Sequence, residues 1–235
     1  MTVMEKGNAR KDQTADMTKA LLNAQQDHWK KMFIKNADMF GTEPSYPARR
    51  ATEFFKKADK RRILELGGGQ GRDTLFFARE GFQIYMLDYC REVIEAVKNK
   101  ANRLNLTASV VALQYDIRQP LPFDDGFFEA CYSHMLYCMA LTISELESLS
   151  KEIWRVLKPQ GLNFYTVRNT ADAHYRTGIR RGEDMWEIGG GFIVHFFNKE
   201  KVEYLAKGYE IDNIEEFEEG ELPKKLFGVT LRKNS

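Results

Sequence analysis

The apolar positions of this chain change period twice. Between residues 14 and 39, Leu21, Leu22, Trp29, Met32 and Phe33, followed by Phe40, fall mostly at three- and four-residue spacings, which predicts a helix. Gly41-Thr42-Glu43-Pro44-Ser45-Tyr46-Pro47 breaks that period with a glycine and two prolines and predicts a loop. From Arg61 short apolar runs alternate with helical patterns. Residues 63–66, 82–87, 109–113, 127–133 and 162–167 read as strands, and 73–80, 92–104 and 144–157 as helices. Lys158-Pro159-Gln160-Gly161 closes the last of these helices. Such alternation predicts right-handed crossovers and a mostly parallel sheet with helices on both faces.

The final third loses that rhythm. Residues 168–197 have weak periodicity and many glycines, and read as a lid-like insertion. A short helix is predicted over 198–207 with Asn198 as its cap. Residues 209–221 and 226–231 then form a late hairpin, antiparallel on an otherwise parallel sheet. The expected organisation is a helical arm over 1–60 and one α/β domain over 61–235.

Composition narrows the class without naming it. A chain of 235 residues, 43% apolar and 29% charged, is an ordinary globular domain with appendages. Lys+Arg 35 against Asp+Glu 34 leaves +1, so no strong basic balance points to nucleic acid. That total averages a basic arm (fourteen Lys/Arg against eight Asp/Glu in residues 1–62) with an acidic stretch over 209–221. No apolar run approaches the ~20 residues of a membrane span, and a cytoplasmic protein is expected. Three cysteines without a CxxC pair, and four histidines without an H-x-x-x-H spacing, predict neither a disulfide framework nor a metal site.

Chemistry concentrates at Glu65-Leu66-Gly67-Gly68-Gly69-Gln70-Gly71-Arg72-Asp73, between a predicted strand and helix. Glycines there permit positive φ and close approach of a ligand to the backbone. The dinucleotide spacing G-x-G-x-x-G fails, since Arg72 stands where its third glycine belongs, and no Lys-Ser or Lys-Thr completes a P-loop. The spacing present, an acid followed by G-x-G-x-G, resembles the class I S-adenosylmethionine-dependent methyltransferases. Three further passages carry the resemblance: Leu87-Asp88-Tyr89, Tyr115-Asp116-Ile117, and Leu121 to Ala130, where Glu129 replaces the family's usual aspartate. It covers about residues 61–167, and the Gly69-Gln70-Gly71-Arg72-Asp73 passage is similar to the tellurite-resistance type.

The resemblance implies a Rossmann-like seven-stranded sheet with its last strand antiparallel. It implies S-adenosylmethionine as cofactor and S-adenosylhomocysteine as product. Glu65, Gly67, Gly69, Gly71, Asp88, Tyr89, Asp116, Ile117 and Ser133 would hold the cofactor. Asp88 would accept from the ribose hydroxyls and Asp116 from the adenine amine. Trp29, on the arm, either covers the cofactor or packs in the core.

The acceptor belongs beyond the carboxyl ends of the strands. His134, with Tyr137 beside it, is the candidate base or orienting group, the alternative being a hydrogen bond within the loop. The 168–197 insertion adds Arg168, His174, Tyr175, Arg180, Arg181, Trp186 and His195, the last equally readable as a core histidine. A small-molecule acceptor is expected, a soft nucleophile such as a thiol preferred, on a monomer or homodimer. A protein or nucleic-acid side chain as acceptor, and a non-catalytic cofactor-binding scaffold, remain alternatives.

Overall fold

Two stacked cores explain why the central strands read as short apolar runs. β1 (Arg62–Leu66) buries Ile63 toward one face and Leu64 toward the other, and neither is exposed. The computed structural model describes residues 20–36, 38–220 and 224–235. The first helix, α1, spans residues 20–35, so the predicted positions 14–19 and 37 lie outside the described residues.

The sheet contains β1, β2 (Gln83–Asp88), β3 (Val110–Gln114), β4 (Phe128–His134), β5 (Leu157–Arg168), β9 (Tyr209–Glu219) and β10 (Lys224–Lys233). Their order is β3-β2-β1-β4-β5-β10-β9, and β10 alone runs antiparallel to both its neighbours. This is the expected seven-stranded sheet with its last strand reversed. One face packs Phe55, Phe77 and Val97 from α2 (Tyr46–Lys57), α3 (Arg72–Arg79) and α4 (Arg91–Arg103). The other packs Leu146, Leu149 and Ile153 of α5 (Ile143–Val156) and Val202 and Leu205 of α6 (Lys199–Leu205). A capping box joins Thr142 and Glu145 at the start of α5, and Asn198 caps α6 as predicted.

Three local departures follow from identifiable causes. The Pro44–Pro47 segment is the start of α2 rather than only a loop, because Ser45 caps it by accepting from the Ala48 amide at 3.1 Å. Pro47 then sits in the first turn, where its missing N–H costs nothing. The predicted end of α5 becomes the start of β5: the helix stops at Val156, and Gln160 at φ +60° bends an irregular strand beginning. The 168–197 insertion contains a second, three-stranded antiparallel sheet of β6 (Ile179–Gly182), β7 (Met185–Glu187) and β8 (Ile193–His195). Strands of three or four residues are too short to show a period.

That small sheet and α1 meet. Leu22 packs on Met185 and Ile193, and the Gln25 side chain accepts from the Ile193 amide at 3.1 Å while donating to the Gly191 carbonyl at 3.0 Å. Together they form a cover over the carboxyl ends of the main strands. Among the described residues no helix is long and apolar enough to cross a membrane, and no group of three His, Cys, Asp or Glu could hold a metal ion.

Candidate active site

β1 ends into the glycine loop, where three residues take positive φ: Gly67 (+68°), Gly69 (+52°) and Gly71 (+82°). Space enforces glycine as well as torsion. A Cβ on Gly67 would lie 2.9 Å from Leu136 Cδ1, and one on Gly71 would lie 2.6 Å from Val97 Cγ2. The loop therefore presents bare backbone at the mouth of the sheet, the form needed for a ligand to lie against it.

Acids surround that backbone. Asp88, at the end of β2, accepts from the Gly69 amide at 3.1 Å and the Cys90 amide at 2.9 Å. It is almost wholly buried, and burial pushes its carboxyl up to about 6 against those amide bonds. Glu65, one strand away, is buried with Oε2 unpartnered, and burial pushes it up to about 8. The neighbouring Thr74 hydroxyl is also unpartnered, as is that of the fully buried Ser133 at the end of β4. Asp73 is spoken for: the Ser45 amide and hydroxyl and the Tyr132 hydroxyl all donate to it. It ties the starts of α2 and α3 together below the loop.

Tyr89 lines a cleft of about 130 Å³ together with Gln26, Asp27 and Lys30 of α1 and Gln114 of β3. Asp116 follows β3. Its carboxylate accepts from the Arg118 guanidinium at 2.7–3.1 Å and from Gln26 Nε2 at 3.3 Å. Burial would raise its pKa, but Arg118 and Gln26 outweigh that and hold it below the usual carboxylate range. Ile117 packs against the larger core.

The cover reaches the same loop. Phe33 comes within 3.6 Å of where a Gly69 Cβ would stand. Gln70 donates to the Asn36 carbonyl and accepts from the Met39 amide at 2.8 Å. Trp29 packs at tilted angles against Phe33, Phe40 and Phe192, its centroid 4.7 Å from that of Phe192. It thus belongs to an aromatic seam between α1 and the small sheet.

On the acceptor side the candidates separate. His134 lies at the end of β4, its Nδ1 2.7 Å from Thr166 Oγ1 and its Nε2 3.3 Å from Glu219 Oε2. Tyr137 does not face the cleft: it is fully buried, stacked on Tyr165 at 4.3 Å, and burial pushes its phenol up. His195 is a core histidine. Its Nδ1 donates to the Leu141 carbonyl at 2.8 Å, Lys201 donates to its Nε2, and burial with that ammonium pushes it down to about 4. Arg168 is buried in a two-bond pair with Asp172 and donates to His174 Nδ1 at 2.8 Å. Arg181 is paired with Glu187. Cys131 is buried in β4, and Cys90 stands at the start of α4 with its thiol on Glu92.

Residues 63–161 match the methyltransferase domain family, and that stretch runs from β1 into β5, carrying the glycine loop, Asp88 and Asp116. By that match, residues 63–161 are similar to a methyltransferase domain. It is 29% identical over 115 residues to YqeM of Bacillus subtilis (strain 168), which its name places provisionally among the methyltransferases. The match takes in 48% of this chain and 44% of YqeM, so the chain spans less than half the length of that curated relative. A solved S-adenosylmethionine-dependent methyltransferase from Methanosarcina mazei is similar in fold, with TM-score 0.67 and 20% identity over 75% of this chain and 93% of that one. The 1,6-didemethyltoxoflavin-N1-methyltransferase of Burkholderia thailandensis, solved with its namesake compound and S-adenosylhomocysteine, gives TM-score 0.71 at 13% identity, over 91% and 88%.

The cradle fits S-adenosylmethionine. Bare backbone at Gly67 and Gly69, an acid closing β2, and unpartnered buried oxygens on Glu65 and Ser133 are what a polar ligand lying over the loop would engage. Several residues of this region escaped the sequence reading. Arg118 carried a signal, an arginine two places from an expected acid. Gln25, Gln26 and Phe192 carried none, because their role depends on how the cover folds back.

Proposed function

We propose that this protein transfers the methyl group of S-adenosylmethionine to a small molecule, with a thiol or another soft nucleophile preferred. The observation that carries this reading is the cover: α1 and the small sheet are joined above the strand ends by Leu22, Gln25 and Trp29. A site covered in this way suits a small acceptor, whereas a polymer side chain needs an open trough. Three basic side chains of the arm also favour it: Lys30, Arg50 and Lys56 are paired with Glu92, Glu53 and Glu80. Such pairs leave less free charge for a phosphate backbone.

In the proposed reaction an acceptor lone pair bonds to the methyl carbon as the carbon–sulfur bond breaks, leaving that pair on sulfur as a neutral thioether. Glu65, Gly67, Gly69 and Gly71 shape the floor, with Ser133 at the β4 end. Asp88 takes the ribose hydroxyls, Tyr89, Asp116 and Ile117 frame the adenine, and Trp29 closes over them. Alignment and exclusion of water are then the main demands. His195 has both ring nitrogens engaged, whereas His134 is held through Nδ1 by Thr166 and its Nε2, 3.3 Å from Glu219 Oε2, has no hydrogen-bond partner among the described residues. An acceptor that arrives already deprotonated, such as a thiolate, needs no base, and one that arrives protonated would use His134 Nε2.

The test is turnover with a thiol, a metalloid oxyanion, an amine and a phenol, following S-adenosylhomocysteine by mass spectrometry. The expected result is product with the thiol or the metalloid. Normal cofactor binding with no product from any of the four would remove the small-molecule reading.

A further inference from the structure

Helix α1 meets the rest of the molecule on two faces. Leu22, Gln25, Trp29 and Phe33, at three- and four-residue spacings, pack on the small sheet and reach the glycine loop. Asn23, Gln26 and Lys30 form a second, polar stripe. Asn23 Oδ1 accepts from Arg118 Nη1, Gln26 Nε2 donates to Asp116 Oδ2 at 3.3 Å, and Lys30 Nζ stands 2.8 Å from Glu92 Oε1. Gln26 and Lys30 line the same cleft as Tyr89 and Gln114, so the stripe borders the end of the site assigned to adenine.

Asp116 is held ionised and can only accept, and a carboxylate offers about four lone-pair positions. Arg118 fills three of them. Its amide donates to Oδ1 at 3.1 Å and its Nε to Oδ1 at 3.0 Å, while Nη2 donates to Oδ2 at 2.7 Å. Gln26 fills the fourth. Its bond is the longest of the set and comes from a neutral amide, whereas the guanidinium bonds are charge-assisted and two-pronged. A further neutral donor arriving at Asp116 therefore displaces Gln26 and leaves Arg118 in place.

Resting on the cofactor reading, in which Asp116 receives the adenine amine, we propose that Gln26 and that amine compete for this one position on Asp116. Cofactor binding then releases Gln26, exchanging one neutral N–H donor for another rather than adding one. The apolar face of α1 keeps its own contacts with Met185, Ile193 and Phe192, so the cover stays seated while its polar edge gives way. Gln26 is thereby a specificity residue: a purine without the exocyclic amine leaves it on Asp116.

Two variants test this, Gln26→Ala and Gln26→Met, the second keeping the length of the side chain without its donor. Calorimetry compares S-adenosylhomocysteine with its 6-unsubstituted purine analogue, which lacks the amine. Both variants should bind S-adenosylhomocysteine about two- to tenfold more tightly than the wild type, the worth of one net hydrogen bond no longer displaced. Affinity for the analogue should stay at its wild-type value. Unchanged or weaker S-adenosylhomocysteine affinity in Gln26→Met, or an equal gain for the analogue, would overturn the proposal. Should Gln26→Ala fail to fold, Gln26→Met decides alone. A wild type that binds neither compound removes the cofactor reading and this proposal with it, whereas binding without the gain removes this proposal only.

Discussion

The cofactor cradle and the cover above it are built on opposite principles. The cradle is set by backbone: three glycines at positive φ, two of them with no room for a Cβ, and amides that donate to a buried Asp88. The cover is set by side chains from distant segments: Gln25 on Gly191 and Ile193, Trp29 on Phe192, and Gln26 on Asp116. Backbone constraints tolerate few substitutions, while a side-chain seam spreads its stability over many small contacts. The cradle should therefore respond to single changes far more strongly than the cover does.

The largest effect is expected at Asp88. On the proposed reading Asp88 accepts from both ribose hydroxyls; replacing it with Ala would remove those two charge-assisted hydrogen bonds and free the Gly69 amide, so S-adenosylhomocysteine affinity should fall about a hundredfold by calorimetry. Unchanged affinity would place the ribose elsewhere. Gly67→Ala comes next. A methyl group there meets Leu136 at a positive φ, and the cost should be roughly 1–3 kcal/mol, read as a fall of about 3–8 °C in melting temperature.

A titration separates the two regions in another way. Burial raises Glu65 to about 8 and Asp88 to about 6, above their unfolded values. The stability such groups contribute is complete below their unfolded pKa and lost as pH climbs through the folded one. The apo protein should therefore melt higher at pH 6 than at pH 9, and Glu65→Gln should flatten that difference. A slope unaltered by Glu65→Gln would assign it to other groups. Smallest is Gln25→Ala in the cover. Hydrogen exchange should quicken in residues 20–35, while S-adenosylhomocysteine affinity stays within about threefold of wild type.

The same division governs what the amino-acid sequence reveals. β1, the glycine loop and Asp88 are legible because a buried strand, a glycine spacing and a terminal acid are all local signals. α2 was hidden behind Pro44 and Pro47, although Ser45 before a first-turn proline is itself a helix-start signal. Tyr137 looked available beside His134, but its ring stacks on Tyr165, a contact fixed by the pairing of β4 with β5. Glu219 sat unremarked in an acidic stretch because its neighbours, His134 and Arg72, are far away in the chain. The cover's small sheet is too short to show a period at all.

The central claim is that the glycine loop and Asp88 form a site for S-adenosylmethionine. Titrating S-adenosylhomocysteine into the wild-type protein by calorimetry tests it most directly. The account predicts saturable binding of one molecule per chain. A titration with no saturable heat, on protein shown to be folded by circular dichroism, would contradict it.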